Sequence, residues 1–217
     1  MSSAQAHYLG TVLRRRPGSG LRLFNGRDGE WLARLINLRR DRAEVLVEHQ
    51  IRVQAGEDVD LWLVFALLKR DATDLVVQKA TELGVSRMVP VVTERTNAGR
   101  VNEGRLAAIA AEAAEQSERL TVPVIEKVRP LAAVLACWPS NRALFAAVER
   151  APDLPPVRPA RGPSGLLIGP EGGFTVPELD GFRDHPLVTR VQLGSRILRA
   201  ETACLAGLVL LQAPGCG

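Results

Sequence analysis

The chain has 217 residues, a length that predicts two unequal domains. Of these residues 46% are apolar and 24% are charged, a composition that excludes a largely disordered protein. The N-terminus has no apolar run behind a basic start, so no signal peptide is predicted, and the most apolar late segment carries Arg199 and Glu201, so no membrane span is predicted. We therefore expect a cytoplasmic protein. The net charge of +4 is uneven: residues 1–55 contain ten arginines, no lysine and five acids. This basic first quarter is the predicted contact for a polyanion, although arginines on an ordinary solvated face would explain the same count.

Residues 21–51 show three apolar segments separated by polar turns. The segments are LRLF, WLARLINL and AEVLVEHQI, and the turns are NGRDGE and RRDR. Such spacing predicts three strands in a small β-barrel or meander. A short helix is predicted before them in HYLGTVLRRR.

The pattern changes after residue 60, where LWLVFALL predicts a strand buried on both faces of a parallel sheet. Helices are predicted over 71–83, ended by Gly84, and over 102–120; strands are predicted over 88–92, 122–125 and 143–148. The proline-rich segment 151–165 predicts an irregular loop. Strand LLIG then precedes a helix that begins with a capping box from Thr175 to Glu178. Strand VTRVQLG and an apolar helix over 197–212 complete a mostly parallel α/β domain with helices on both faces.

Two glycine-containing turns follow predicted strands, in LLIGPEGGF (166–174) and LGSRILRAETA (193–203). Glycine allows a ligand to approach the backbone closely, and open α/β sheets bind ligands beyond the carboxyl ends of their strands. Neither turn has the spacing of a P-loop or of a dinucleotide fingerprint, and a tight strand-to-helix turn would explain either one alone. Together the two turns predict one ligand pocket.

The cysteines and histidines are scattered along the chain and show neither metal-ligand nor disulfide spacing. We therefore predict no metal site. General acid–base chemistry, if present, is expected from carboxylates rather than from histidine.

GPEGGF followed by LGSRILRAETA resembles the 16S rRNA uracil-N3 methyltransferase family, RsmE, of the SPOUT class of methyltransferases. Other segments are similar to that family in the same order: HYLGTVLR, LFNGRDGEW, KRDATDLVVQKATELGV, PVVTERT and EAAEQSERLTVPVI. The resemblance implies a small N-terminal PUA-like β-barrel for RNA over 1–55. An α/β SPOUT methyltransferase domain with a C-terminal trefoil knot would follow over 56–217. It also implies a homodimer, 16S rRNA or the small ribosomal subunit as the partner, and a role in rRNA processing and ribosome biogenesis.

The resemblance further implies that the knotted loops bind S-adenosylmethionine. The corresponding positions lie in the two glycine turns and, by a looser match, at the end of the strand before them. The cofactor-binding residues implied are Ala147, Glu149, Ile168, Gly169, Pro170, Gly172, Gly173, Leu193, Gly194, Ser195, Ile197, Leu198 and Thr202.

Methylation at uracil N3 requires removal of the N3 proton, because the protonated nitrogen is a poor nucleophile, whereas the sulfonium methyl group is already activated. Candidate bases are Glu171, Glu201 and Glu94. Arg199 and Arg95 are candidates for stabilising negative charge on the uracil oxygens. A helix cap or an ion pair would be a purely structural explanation for each of these five residues.

Phosphate contacts are predicted for arginines of the first quarter, which would give affinity but little sequence selection. The residues are Arg14, Arg15, Arg16, Arg22, Arg27, Arg39 and Arg40. Selection would then depend on RNA shape and on a uridine turned out of its stack.

Members of the family usually have a further strand before the segment matched here by HYLGTVL, so we expect the barrel to lack an edge strand or the start to be assigned too late. Two other functions stay open, a ribose 2′-O-methyltransferase of the same class and a non-catalytic RNA-binding ribosome-assembly factor. The combination of a PUA-like barrel with GPEGG and ILRAET favours the base methyltransferase. The target nucleotide, the general base, and the choice between naked rRNA and an assembled subunit are left open.

Overall fold

A computed structural model of the chain describes residues 1–54, 60–97, 99, 101–149, 151 and 153–213. The chain divides into two units, Met1–Gly56 and Glu57–Gly217. Each unit has its own apolar core. None of the described helices combines the length and the apolar character that a membrane-spanning helix needs.

The first unit is a helical segment followed by a three-stranded antiparallel meander. Helix α1 (Ser3–His7) continues into a π-helical turn (Tyr8–Val12), and strands β1 (Gly20–Phe24), β2 (Glu30–Leu38) and β3 (Ala43–Arg52) pair in the order β1-β2-β3. Alternation along β2 buries Ala33 and Leu35, and Leu35 packs against Leu9 of the π-helical turn. The three predicted strands are confirmed. Closure of the sheet into a barrel stays a prediction, because the described strands pair only in the order β1-β2-β3, without a pairing of β1 with β3.

The second unit contains a seven-stranded sheet whose strand pairs are all parallel. The strand order is β10-β8-β9-β4-β5-β6, and β7 also pairs with β5. The predicted parallel α/β architecture is therefore confirmed. The elements in chain order are β4 (Leu61–Ala66), α2 (Arg70–Glu82), β5 (Arg87–Val92), α3 (Glu103–Gln116), β6 (Val124–Ile125), β7 (Arg129–Pro130), α4 (Leu131–Ala136), β8 (Ala143–Ala147), β9 (Ser164–Ile168), α5 (Val176–Asp184), β10 (Val188–Val191) and α6 (Ala200–Gln212).

Helices cover both faces of this sheet, as predicted. Leu63 of β4 packs in one core cluster with Val76 of α2 and Leu208 of α6. Its neighbour Val64 packs in a second cluster with Phe182 of α5. Successive residues of a strand point to opposite faces, so β4 is apolar throughout because both of its faces are covered.

Helix α3 ends at Gln116, four residues before the predicted end at Leu120. Glu118 has a positive φ of 54°, the Glu118 N–H donates to Glu115 O, and the Arg119 N–H donates to Ala114 O. These two bonds form a Schellman motif, which satisfies the last carbonyls of the helix and turns the chain away. A glutamate occupies the position where glycine usually marks such an end, so the sequence gives no stop signal.

Helix α6 begins at Ala200, three residues after the predicted start at Ile197. Arg199 is extended and accepts the first helical bond from the Ala203 N–H. Ile197 and Leu198 line a cavity. Their apolar side chains extended the predicted helical pattern beyond the true start of the helix. Two short elements, β7 and α4, lie where the sequence predicted no element.

The amino ends of three central strands are joined by the buried side chain of Arg142. Its Nη1 donates to Asp60 O at 2.8 Å and to Ser164 O at 3.0 Å, and its Nη2 donates to the Asp60 carboxylate. Trp62 packs its ring 4.0 Å from the Arg142 guanidinium carbon. Burial raises the pKa of Asp60, but hydrogen bonds from Arg142, Ser86 and Trp62 outweigh burial and hold that pKa below its ordinary value.

Asp60→Asn is expected to lower the free energy of unfolding by about 1–2 kcal/mol at neutral pH. The change leaves the buried Arg142 without its carboxylate, but Asp60 is 47% exposed, which reduces the loss. Because the folded-state pKa is lowered, the stabilisation is present above the ordinary Asp pKa of about 3.9 and is lost as the pH falls through the folded-state value.

Urea unfolding near neutral pH and below the ordinary Asp pKa would measure both effects. The difference between the wild type and Asp60→Asn should narrow at the lower pH. Asp180→Asn is the matched control, since Asp180 pairs with Arg183 on an exposed face and should contribute less than about 0.5 kcal/mol. Equal losses in the two variants would contradict the prediction.

Candidate functional site

A cavity of about 620 Å³ lies at the carboxyl edge of the parallel sheet. Most of its lining comes from residues at or after the ends of β8, β9 and β10 and from the first turn of α6, and Arg95 and Leu179 complete it. Parallel strands present their carboxyl ends at one edge, so loops that are distant in the sequence meet there. The prediction that the two glycine turns build one pocket is confirmed, with β8 lying between their strands.

The structure brings most of the predicted cofactor residues to this cavity. Twelve of the thirteen line it, and the remaining one, Thr202, is exposed on α6. Of the five catalytic candidates, Glu171 and Arg95 line the cavity, whereas Glu94, Arg199 and Glu201 are not among its described lining residues. The roles of all these residues stay predictions.

Sequence reasoning missed several lining residues. Gln192 and Arg196 lie inside or beside the quoted turn LGSRIL, so adjacency to a glycine turn was a usable signal. Leu179 and Ala203 sit on helices, where an inward-facing apolar residue carries no ligand signal. The lining residues not singled out are Val148, Ala151, Phe174, Leu179, Gln192, Arg196, Ala200 and Ala203.

Two glycines of the lining have backbone conformations that other residues rarely adopt. Gly173 has φ +67° and Gly194 has φ +116°. A Cβ atom at either position would meet no protein atom within 4 Å, so the space beside both glycines is open. Backbone atoms can therefore approach a ligand at these two points.

The loop 169–175 is anchored to the core by Phe174. Its ring is buried and packs perpendicular to Phe182, with ring centroids 4.8 Å apart. A Cβ at Gly169 would lie 3.1 Å from the Phe174 ring, so glycine at 169 allows the loop to fold back over that ring.

Arg95 binds the same loop from the turn that follows β5. Its Nη1 donates to Gly172 O at 2.9 Å and to Phe174 O at 3.4 Å. A Cβ at Gly172 would lie 3.3 Å from the Arg95 Cβ, so glycine at 172 permits this approach. The contact joins residues 77 positions apart, which no local pattern indicates.

Glu178 of α5 forms the predicted capping box with Thr175, which is confirmed. Its Oε2 accepts from the Thr175 N–H at 2.8 Å. Its Oε1 accepts from the Glu94 N–H at 3.1 Å, a second role that the capping pattern did not predict. The turn 93–96 is thereby fastened to the start of α5.

The β10 side of the cavity is held by the proline-rich connection. Gln192 donates through its N–H to Pro155 O at 3.0 Å and through Nε2 to Leu154 O at 2.8 Å. The Val157 N–H donates to Gln192 O at 3.1 Å. Backbone bonds therefore fix the chain at the point where it enters the second glycine turn.

The cavity is chemically mixed. Carboxylates of Glu149 and Glu171 and guanidinium groups of Arg95 and Arg196 lie among apolar and glycine residues. Glu171 is exposed and has no hydrogen-bond or ion-pair partner within the described part of the chain. In that same part, no three His, Cys, Asp or Glu side chains converge on a metal-binding position.

Comparison with known proteins agrees with this geometry. Residues 56–212 match the family model of an RNA methyltransferase domain, and residues 2–48 match that of an RNA methyltransferase PUA domain. Ribosomal RNA small subunit methyltransferase E of Rickettsia conorii is 35% identical over 99% of this chain and 88% of its own length. The chain belongs to the ribosomal RNA small subunit methyltransferase E family.

Other members of the methyltransferase E family are similar over most of their length. The Synechocystis protein is 32% identical over 98% of this chain and 72% of its own length. The crystal structure of the Neisseria gonorrhoeae protein, bound to S-adenosyl methionine, has a TM-score of 0.83, 31% identity, and coverage of 96% of this chain and 88% of that chain. The resemblance identified from the sequence motifs is confirmed.

Proposed function

We propose that this protein transfers the methyl group of S-adenosylmethionine to N3 of a uridine in the 16S rRNA of the small ribosomal subunit. The observation that carries the proposal is the single cavity formed by both glycine turns, in a chain of the methyltransferase E family. A volume of about 620 Å³ is in the range of small-molecule and cofactor sites. The Neisseria gonorrhoeae relative, which was crystallised with S-adenosyl methionine, supports this cofactor.

The residues of the cavity fit such a ligand. The open space beside Gly173 and Gly194 is where a Cβ atom would otherwise intrude, and Ile168 and Leu198 add apolar surface. We assign cofactor contact to the twelve predicted residues that line the cavity. S-adenosylmethionine supplies a methyl group that is activated by the positive sulfonium.

The protein's own contribution is to orient the uracil and to remove its N3 proton. We place the general base at Glu171, because its carboxylate lines the cavity and is not engaged by a described side chain or backbone group. Glu94 and Glu201, outside the described lining, are the weaker candidates. Arg199 is exposed next to the lining residue Leu198, and we assign it to the negative charge that develops on the uracil oxygens.

The test is incubation of the purified protein with labelled S-adenosylmethionine and small ribosomal subunits that lack base methylations, followed by digestion and identification of the labelled nucleoside. Label in 3-methyluridine is expected. Label in a ribose methyl group would replace the proposal with the 2′-O-methyltransferase alternative. Absence of label together with absent or weak cofactor binding would favour the non-catalytic RNA-binding assembly factor.

Glu171→Gln is expected to lower kcat by a factor of about 10² to 10⁴, since the amide cannot accept the N3 proton. The dissociation constant of the cofactor should change little. Glu112→Gln, at an exposed position of α3 outside the cavity, is the matched control and should leave kcat unchanged. A normal kcat for Glu171→Gln would exclude Glu171 as the base.

We also propose that the basic first unit contacts RNA phosphates. Arg14, Arg15, Arg16, Arg39 and Arg40 are exposed and have no ion-pair partner among the described residues. Arg22 lies 3.8 Å from Glu30, and Arg27 pairs with Asp28 at 3.0 Å, so these two predicted contacts would have to exchange partners. The match to an RNA methyltransferase PUA domain supports this assignment.

Replacing Arg39 and Arg40 together by Gln is expected to weaken RNA binding and to flatten its salt dependence. Each lost phosphate contact should reduce the slope of log K against log salt by about 0.7–0.9. Arg183→Gln, on an exposed face of α5, is the control and should leave the slope unchanged. An unchanged slope for the double variant would remove the two arginines from the RNA surface.

The chain path around α6 supports the proposed trefoil knot. Helix α6 packs directly on β9, where a Cβ at Gly207 would lie 2.6 Å from the Leu166 side chain. The connection from β8 to β9 lies against α6, because the Ala160 N–H donates to Leu211 O and Val157 joins the same core cluster as Leu208. Strand β10 is separated from β9 by β8 in the sheet. The chain that runs from β10 into α6 must therefore pass the β8–β9 connection before α6 can pack on β9. A crystal structure in which α6 does not cross beneath the connection would contradict the knot.

Homodimer formation is part of the same proposal. Val176, Ile197 and Val209 are apolar and at least half exposed, at the start of α5, beside the cavity and on α6. An assembly that covers these side chains would remove their apolar surface from water. Sedimentation velocity is expected to give twice the 23.5 kDa mass of one chain, and a single-chain mass at every concentration would contradict it.

A further inference from the structure

The turn after β5, residues 93–96, is a rigid support at the edge of the cavity. The Thr93 N–H donates to Thr96 Oγ1 at 2.8 Å, the two threonine hydroxyls are 2.9 Å apart, and the Thr96 N–H donates to Thr93 O at 3.2 Å. These bonds close the turn on itself without help from the cavity. Its position is therefore set by β5 and not by a ligand.

Two contacts join this turn to the loop 169–175 and to the helix start that follows it, and the turn is the donor in both. Arg95 of the turn donates to carbonyls of Gly172 and Phe174, and Glu178 after the loop accepts from the amide of Glu94. In the second contact the carboxylate is shared, because its other oxygen accepts from the Thr175 N–H. Residues on both sides of Gly173 are therefore held by the turn 93–96.

The segment Gly172–Gly173 needs these contacts to keep one conformation. Adjacent glycines have more backbone freedom than any other residue pair, so an unsupported Gly172–Gly173 segment would sample many shapes. A ligand that binds one of these shapes would have to order the loop first, which lowers its apparent affinity. Polar contacts from the turn 93–96 and from Glu178 remove that loss before binding occurs.

We propose that Arg95 and Glu178 are positioning residues that set the shape of the loop 169–175 for S-adenosylmethionine, an inference that rests on the proposed function of this cavity. Arg95 acts through the loop backbone, because its Nη1 donates to two loop carbonyls. Glu178 acts through the Thr175 and Glu94 amides. A positioning role and the alternative of charge stabilisation by Arg95 affect different kinetic constants.

Arg95→Met keeps an unbranched side chain of the same width near the backbone but removes the guanidinium donors. The dissociation constant and KM for S-adenosylmethionine are expected to rise about tenfold or more, as for the loss of a charged hydrogen bond, with kcat at saturating cofactor within about twofold of the wild type. Arg95→Lys should recover part of the affinity, because an ammonium group can still donate to one carbonyl. Glu178→Gln should weaken binding as well, because one amide oxygen cannot serve both N–H groups.

Calorimetry with S-adenosylmethionine, initial-rate kinetics, and melting temperatures with and without the cofactor would test these expectations. Arg183→Met is the matched control, since Arg183 is 61% exposed on α5 and pairs only locally with Asp180 in the described structure. For the Arg95 variants the melting temperature without cofactor should stay close to the wild type, while the upward shift caused by cofactor should shrink.

The outcomes separate the inference from the function on which it rests. Failure of the wild-type protein to bind S-adenosylmethionine would refute the proposed function. Wild-type binding together with normal affinity in Arg95→Met and Glu178→Gln would overturn the positioning role. A fall in kcat at unchanged KM in Arg95→Met would also overturn it and would make Arg95 a catalytic residue.

Discussion

Parallel pairing of β8 with both β9 and β10 is the constraint on which the whole site depends. Neighbouring strands lie about 4.8 Å apart, so the strands that carry the two glycine turns are separated by about 10 Å. That spacing leaves a gap above the end of β8, where Ala147 is too small to fill it. If β9 and β10 were neighbours, their loops would touch and little cavity would remain.

An irregular loop over such a gap creates a problem that regular structure does not have. Its backbone N–H and C=O groups lack ladder partners, and an apolar ligand in the gap would not supply them. In this protein the Gly173 N–H bonds to Pro170 O within the loop, and groups around it are satisfied by Arg95 and Glu178. The buried ring of Phe174 packs against Phe182 and anchors the loop to the apolar core. The cavity side of the loop is thus left for a ligand.

Features with local physical causes could be predicted from the sequence. The capping box at Thr175, the buried strand β4 and the meander of the first unit each follow from neighbouring residues. The end of α3 could not be predicted, because Glu118 adopts a conformation that usually signals glycine. Nor could the contact of Arg95 with Gly172, since strand order decides which distant loops meet. Most residues that form the cavity were predictable by motif, whereas the long-range contacts that hold its shape were not.

Under the proposed function, the charge distribution suits the first unit to RNA binding and the second unit to binding the base. Ten arginines and five acids make residues 1–55 basic, whereas the remaining 162 residues carry 18 basic and 19 acidic side chains. Phosphates, present in every RNA, are therefore attracted to the first unit. Around the cavity, Glu149 and Glu171 oppose Arg95 and Arg196, so the local field does not favour a phosphate. A nearly balanced cavity suits an uncharged base, and phosphate contacts of the basic first unit would add RNA affinity without selecting a sequence.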